Sequence, residues 1–271
     1  MSVHGTSRPV SVHDLRGYKE RGERFVMLTA YDYLTAQILD NAGVPVLLVG
    51  DSLGMVVLGY DSTVPVTMDE MLHHTRAVRR GAQHAVVDGD MPFGSYQVSV
   101  EDGIRNATRF LQEAGATAVK VEGAGPIVDL TARLTQIGIP VMAHVGLTPQ
   151  SVNQLGGFKV QGRDDATADR LVDDAVSLAQ AGAFSVVVEA VPSEVGRRIT
   201  QAVDVPTIGI GAGPETDAQV LVISDMVGLT SGHLPRFVKP YADLRQSMTD
   251  AVKAFSAEVA SGDYPGPEHT Y

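Results

Sequence analysis

Short runs of apolar, β-branched residues alternate along the chain with longer stretches in which apolar residues recur every three or four positions. Several of these longer stretches end at a glycine beside small residues, as at Gly43, Gly115 and Gly182, and an apolar run follows. Glycine supplies the left-handed backbone that ends a helix, so the pattern predicts a repeating helix and strand. The predicted strands are residues 25–29, 46–49, 85–87, 118–121, 141–143, 185–188, 206–210 and, as the weakest signal, 223–229.

These runs are nearly continuous in apolar residues, which is typical of strands that are covered on both faces. Helical spacing over residues 68–80, 100–113 and 168–180 places helices between them, and the alternation predicts a parallel sheet. Eight such units favour a closed (β/α)8 barrel, a TIM barrel, over an open doubly wound sheet. The chain has 271 residues, and such a barrel typically needs about 250. Because no linker-like stretch divides it, we expect one domain over residues 1–271, with a short N-terminal segment and a C-terminal helical extension.

Composition narrows the class of protein. Residues 1–19 are polar, and no apolar run approaches the roughly 18 residues of a membrane helix, so we expect a cytoplasmic protein without membrane contact. The absence of cysteine excludes disulfides, thiol chemistry and cysteine-type zinc sites. The formal net charge of −11 argues against binding to nucleic acid. We therefore expect small molecules as ligands.

Polar residues within the strand-bearing segments fall at the carboxyl ends of the apolar runs. In barrel enzymes this end carries the active site, whereas the opposite end serves stability. The pattern therefore predicts one site built from several strand ends. Its candidate residues are Asp51 and Ser52, Asp88 and Asp90, Lys120 and Glu122, His144, Glu189 and the glycines of residues 209–213.

Asp51, Asp90 and Glu122 are candidate metal ligands. Three converging carboxylates repel one another unless a cation joins them, and oxygen ligands suit Mg²⁺ or Mn²⁺. The alternative is a set of structural salt bridges to Lys120 or to arginines.

Lys120 and Glu122 are two residues apart on one strand and point to the same face. Lys120 would then stabilise an oxyanion or, alternatively, form a Schiff base with a carbonyl substrate.

Glu189 is a lone acid after three valines and is the candidate general base, with pairing to an arginine as the alternative. His144 is equally consistent with a hydrogen-bonded residue that lines the site and with a catalytic residue. Asp88 has no assigned role.

The glycines of residues 209–213 give only a weak phosphate-binding signal, since no dinucleotide-type helix and acid follow.

Eight sequence blocks, spread in order over nearly the whole chain, resemble the ketopantoate hydroxymethyltransferase (3-methyl-2-oxobutanoate hydroxymethyltransferase) family. The blocks are TAYD (29–32), VGDSLGMVVLGYDSTVPVTMDEM (49–71), DMPFGSYQ (90–97), VKVEG (119–123), AHVGLTPQSVNQLGGFKVQGR (143–163), VEAVP (188–192), GIGAG (209–213) and RFVKPYADL (236–244).

This resemblance implies transfer of a hydroxymethyl group from 5,10-methylenetetrahydrofolate to 3-methyl-2-oxobutanoate, which gives 2-dehydropantoate for pantothenate synthesis. It also implies Mg²⁺ as cofactor, held by Asp51, Asp90 and Glu122, with the keto acid beside Asp51 and Asp90. Ser52 would hold the substrate carboxylate, Lys120 would face the keto oxygen, and Glu189 would accept the proton. The family further implies a homodecamer.

Two other functions compete with this one. A Mg²⁺-dependent lyase or mutase of the phosphoenolpyruvate and isocitrate lyase type uses similar chemistry, but commonly with a catalytic cysteine that this chain lacks. The second is a catalytically inactive keto-acid-binding protein.

Overall fold

The computed structural model describes residues 8–232 and 234–271. Its strands form a closed, all-parallel barrel in the order β1 to β8, as the sequence predicts. The strands are β1 Phe25–Thr29, β2 Val46–Val49, β3 Val86–Asp90, β4 Ala118–Glu122, β5 Val141–Gly146, β6 Ser185–Glu189, β7 Thr207–Ile210 and β8 Ala218–Leu221.

Helices lie between most of the strands. The helices are α1 Val12–Glu20, α2 Tyr33–Asn41, α3 Leu53–Val56, α4 Met68–Gly81, α5 Val100–Ala114, α6 Pro126–Gln136, α7 Val152–Leu155, α8 Asp165–Gln180, α9 Ser193–Ala202, α10 Ile223–Met226 and α11 Leu244–Ser261. The helical spacing noted above is confirmed for α4, α5 and α8. Within the described ranges, each helix is either too short or too polar to span a bilayer.

The predicted eighth strand, residues 223–229, is wrong. The strand that closes the barrel is β8, which pairs with β1 through Phe25 and Ala218 and with β7 through Ile208 and Ala218. Gln219 interrupts its apolar run, and the side chain of Gln219 donates hydrogen bonds to Thr216 and to the Gly213 carbonyl. Residues 223–226 form the short helix α10 instead. The continuous apolar run at residues 220–223 overlaps β8, whereas Ser224 and Asp225 interrupt the predicted segment.

The described chain separates into two compact units at Leu221. The first unit holds the complete barrel, and the second, from Val222 onward, holds α10 and α11. The single-domain organisation stays a prediction.

Inward-facing apolar side chains fill the barrel interior toward the amino-terminal ends of the strands. Leu15 of α1 is completely buried against them, so α1 closes the amino-terminal end of the barrel. A capping box between Ser11 and Asp14 fixes the start of α1. The interior side chains of this core are Phe25, Met27, Val46, Leu48, Val86, Met142, Val187, Ile208, Ala218 and Val220. Among the described residues, this packing fills the barrel interior at the amino-terminal end.

Asp40, a buried carboxylate at the end of α2, ties that helix to the segment before β3. It accepts hydrogen bonds from the backbone N–H groups of Gln83 at 3.0 Å, His84 at 2.9 Å and Ala85 at 2.7 Å. Burial raises the pKa of Asp40, but these amides and the His84 ring outweigh burial and hold that pKa below its usual value.

We expect Asp40→Asn to lower the free energy of unfolding at pH 7 by about 3 kcal/mol, because an amide cannot accept all of these bonds. The depressed pKa means that this stabilisation is present above the unfolded-state pKa of about 3.9 and is lost as the pH falls through the lower folded value. Urea unfolding of both proteins between pH 7 and pH 3 measures the difference. The exposed substitution Asp173→Asn on α8 is the control. A difference that grows with acid would contradict the assignment.

Candidate active site

The strand register brings the predicted site residues together at the carboxyl end of the barrel. Asp90 of β3 lies beside Lys120 of β4, and Glu122 of β4 lies beside His144 of β5. Glu189 ends β6 beside Gly146 of β5. Four neighbouring strands thus present their polar ends to one another, and Asp51 follows β2 on the other side of β3.

A chain of polar contacts runs across these strands from β3 to β6. The Lys120 Nζ atom lies 2.6 Å from Asp90 Oδ1 and 3.1 Å from His144 Nδ1. The His144 Nε2 atom lies 3.2 Å from Glu189 Oε2. The side chains of Lys120 and His144 are each 3% exposed, whereas that of Glu189 is 17% exposed. Of the four side chains in this series of contacts, Glu189 is therefore the one that a ligand can reach.

His144 lies between Lys120 and Glu189. Burial and Lys120 lower the pKa of His144, but the carboxylates of Glu122 and Glu189 outweigh both and raise it to about 9. In a neutral ring, Nδ1 faces the Lys120 ammonium and accepts, which leaves the hydrogen on Nε2. Nε2 therefore carries a hydrogen in either protonation state, but its 3.2 Å contact with Glu189 Oε2 lacks hydrogen-bond geometry and is electrostatic, and Glu189 Oε1 is left for a ligand.

The backbone turns sharply directly after Glu189. Ala190 has a φ of 47°, in the left-handed region that non-glycine residues rarely adopt. Hydrogen bonds from Ala190 N to Ile210 O and from Gln161 N to Ala190 O hold this conformation. Backbone strain of this kind is concentrated at functional sites, which agrees with a role for Glu189.

Asp51 and Asp90 lie side by side. The Asp51 backbone N–H donates to Asp90 Oδ2 at 3.1 Å, and Asp51 Oδ2 accepts from Gln150 Nε2 at 2.9 Å. A Cβ atom on Gly50 would lie 2.8 Å from Ser52 Oγ, so this close approach requires glycine. Ser52 Oγ lies 2.9 Å from the Tyr31 hydroxyl. The loop after β2 thus delivers a carboxylate and a hydroxyl to the same place.

Glu122 is held from several sides. Its Oε1 atom lies 3.6 Å from Lys120 Nζ and 3.5 Å from His144 Nδ1. Its Oε2 atom accepts a 3.0 Å hydrogen bond from the backbone N–H of Gln150.

Carboxyl groups outnumber cations in this cluster. Burial raises the pKa of Asp51 well above its usual value, and Asp90 and Glu122 raise it further. Burial and Glu122 likewise raise the pKa of Asp90 against the effect of Lys120. Burial lowers the pKa of Lys120, but Asp90, Glu122 and Asp51 outweigh it, so the net shift is upward and the ammonium stays charged. For Glu122, Lys120 and His144 outweigh burial and lower the pKa. The excess of negative charge suits a further cation.

The donor set fits Mg²⁺ with protein and substrate ligands combined. Within residues 8–232 and 234–271, no three His, Asp or Glu side chains are placed to hold a metal ion by themselves. Mg²⁺ usually binds through one or two carboxylates and takes its remaining oxygens from water and substrate. Asp51 and Asp90 supply such a pair of adjacent hard oxygen donors.

Asp88 lies below this site, inside the barrel, and is completely buried. Neither of its carboxyl oxygens has a hydrogen-bond partner in the described part of the chain. Burial and the neighbouring Asp90 raise the pKa of Asp88 well above its usual value, against the effect of Lys120.

Internal packing accounts for two of the glycines in residues 209–213. A Cβ atom on Gly209 would lie 2.5 Å from Thr216 Oγ1, and one on Gly213 would lie 2.4 Å from Ser193 Cβ.

Two buried polar residues of the site were missed from the sequence. Gln150, in the short turn Pro149–Ser151 after β5, contacts both Asp51 and Glu122. Tyr96, in the loop after β3, joins Gln150 to the backbone of Glu122. Both fall within blocks that carry the family resemblance, but neither bears a charge that would draw attention to it.

Comparison with known proteins gives one consistent family. Residues 9–267 match the ketopantoate hydroxymethyltransferase family model. A 3-methyl-2-oxobutanoate hydroxymethyltransferase of Syntrophus aciditrophicus (strain SB) is 56% identical over 271 residues, which is 100% of both chains. The same enzyme of Carboxydothermus hydrogenoformans is 55% identical over 97% of this chain and 95% of its own.

Solved structures show the same fold at low sequence identity. A phosphonopyruvate hydrolase in complex with oxalate and Mg²⁺ has a TM-score of 0.59 at 15% identity, covering 96% of this chain and 93% of its own. For 2,3-dimethylmalate lyase the TM-score is 0.57 at 16% identity, with the same coverage of 96% and 93%. At such identities the likeness concerns the fold alone.

Proposed function

This chain belongs to the ketopantoate hydroxymethyltransferase family, and on that premise we propose that it transfers a hydroxymethyl group from 5,10-methylenetetrahydrofolate to 3-methyl-2-oxobutanoate, forming 2-dehydropantoate. The observation that supports this proposal is the series of side-chain contacts Asp90–Lys120–His144–Glu189. In it, the Lys120 ammonium and the accessible Glu189 carboxylate lie on either side of His144. The test is release of tetrahydrofolate that depends on both 3-methyl-2-oxobutanoate and Mg²⁺. Absence of release with both present would contradict the proposal and favour a keto-acid-binding protein without activity.

Asp51 and Asp90 would hold Mg²⁺ together with the keto acid, and Glu122 beside them would complete the metal site. Ser52, on the turn that carries Asp51, would hold the substrate carboxylate. When bound, Mg²⁺ supplies Lewis-acid polarisation of the keto acid, which acidifies the proton on C3.

Glu189 accepts the C3 proton through Oε1, because Oε2 is in contact with His144 Nε2 at 3.2 Å. Lys120 donates a hydrogen bond to the keto oxygen as negative charge develops there. Its ammonium has three donors, and the short contact to Asp90 orients it. The raised pKa of Lys120 disfavours the free amine that a Schiff base requires, so the oxyanion role is the better fit. The resulting C3 nucleophile forms the new C–C bond with the one-carbon unit, whose two bonds to folate nitrogens break. A water molecule supplies the hydroxyl group, and its remaining proton together with the proton from C3 completes the tetrahydrofolate that leaves.

Removing either proposed metal-binding carboxylate should weaken keto-acid binding in the presence of Mg²⁺. For Asp51→Ala and Asp90→Ala we expect a loss of about 1.5–3 kcal/mol, which is roughly ten- to a hundredfold in affinity. Unfolding free energy should change little for Asp51→Ala, which relieves repulsion between carboxylates, whereas Asp90→Ala also removes the nearest partner of the buried Lys120 and should lower it. Calorimetric titration with 3-methyl-2-oxobutanoate measures the affinity, and Asp173→Ala on α8 is the control. Binding that is unaffected by a chelator in the wild type would overturn the metal assignment.

We also propose that the chain forms a homo-oligomer, with the decamer of the resembling family as the expected state. An apolar stripe on α11 supports association, since these large side chains recur at helical spacing and are exposed on the single chain. They are Leu244, Met248, Val252, Phe255 and Val259. The cytoplasmic location stays a prediction from the sequence.

A further inference from the structure

Gln150 spans two acids of the site that the barrel itself does not link. Asp51 follows β2 and Glu122 ends β4, and β3 lies between them. The Gln150 side chain donates from Nε2 to Asp51 Oδ2 at 2.9 Å, while its backbone N–H donates to Glu122 Oε2 at 3.0 Å. One buried residue after β5 therefore sets the positions of both acids.

The surrounding hydrogen bonds fix the orientation of the Gln150 amide. The backbone N–H of Glu122 donates to the Tyr96 hydroxyl at 3.0 Å, so that hydroxyl directs its own hydrogen to Gln150 Oε1, at 2.7 Å. Oε1 also accepts from Gln97 Nε2 at 3.0 Å. The second hydrogen of Nε2 goes to the Met91 carbonyl at 2.9 Å. Both donors and both acceptor positions of the amide are occupied, so the group cannot flip without losing several bonds.

A neutral donor suits this position. A lysine or arginine would neutralise Asp51 and compete with any cation bound there. An amide instead fixes one carboxylate oxygen, Oδ2, and leaves the negative charge and Oδ1 available.

We propose that Gln150 is a positioning residue, which presets Asp51 and Glu122 for a divalent cation. This inference rests on the proposed function for the identity of that cation, but its test does not require turnover. Partners that orient metal ligands typically contribute about ten- to a hundredfold to metal affinity.

The test measures Mn²⁺ binding to the full-length, metal-free protein by electron paramagnetic resonance, without keto acid or folate. Mn²⁺ serves as the probe because it takes the same oxygen ligands as Mg²⁺. We expect Gln150→Leu to raise the Mn²⁺ Kd by roughly ten- to a hundredfold. The exposed substitution Gln136→Leu at the end of α6 should leave it unchanged. At saturating Mg²⁺, kcat should fall by a smaller factor than the apparent affinity for Mg²⁺.

Gln150→Met is the second variant, because it keeps nearly the length of the side chain without adding a charge and removes the amide that donates to Asp51 and to the Met91 carbonyl. It covers the case in which Gln150→Leu fails to fold, and it should weaken Mn²⁺ binding by a similar factor. Wild-type Mn²⁺ affinity in a folded Gln150→Met protein would overturn the inference, as would a wild-type protein that binds no Mn²⁺. Altered Mn²⁺ affinity in a chain that releases no tetrahydrofolate would instead refute the proposed reaction alone.

Discussion

Glu189→Gln should slow the exchange of the C3 proton of 3-methyl-2-oxobutanoate by a factor of about 10² to 10⁴, the usual contribution of a general base. The amide keeps the shape of the side chain and its contact with His144 Nε2, at 3.2 Å in the wild type, but it cannot accept the proton. Exchange in D₂O with Mg²⁺ and without folate isolates this step, and proton NMR follows the loss of the C3 signal. Affinity for the keto acid should survive, because the proposed metal site and Ser52 hold the substrate.

The matched control is Glu194→Gln on the exposed first turn of α9, where Glu194 pairs with Arg197. It should exchange at the wild-type rate. If Glu189→Gln also exchanges at that rate, Glu189 has only a structural role and His144 becomes the next candidate base.

Lys120→Ala should reduce the rate of enolate formation by about 3 kcal/mol in activation free energy, which is roughly 10²-fold, as when an oxyanion donor is lost. The reason is that the ammonium 2.6 Å from Asp90 is held charged by the surrounding carboxylates. The same deuterium exchange assay measures the loss. Lys159→Ala, in the segment after α7, provides a control for removing a lysine elsewhere.

Borohydride treatment of the wild-type protein with 3-methyl-2-oxobutanoate distinguishes the two roles considered for Lys120. An oxyanion role predicts no covalent product, since a charged ammonium does not attack a carbonyl. A reduced adduct on Lys120, detected by mass spectrometry, would establish the Schiff base in its place.

The sequence alone determined the barrel and the end of it that carries the candidate site. Seven of the eight apolar runs correspond to strands of the barrel, and the polar residues at their carboxyl ends mark the end that carries the candidate site. These are local signals, so Asp51, Asp90, Lys120, Glu122, His144 and Glu189 could all be selected without coordinates.

The tertiary structure decided which of these residues touch. Register places Lys120 against Asp90 and His144 against Glu122, which no spacing along the chain reveals. It also decided the closing strand, because pairing with both β1 and β7 places that strand at residues 218–221.

Gln150 shows most directly why the remaining contacts of the site could not be predicted from the sequence. Its side-chain bond to Asp51 joins residues 99 positions apart, and its backbone bond to Glu122 joins residues 28 apart. A neutral amide gives no signal of charge or periodicity in the sequence. Its importance comes from burial beside carboxylates, where a satisfied hydrogen bond is strong and an unsatisfied one is costly. The chemical groups of the site could therefore be identified from the sequence. Their partners and charge states depend on the folded chain, because folding brings distant segments within 3 Å of one another.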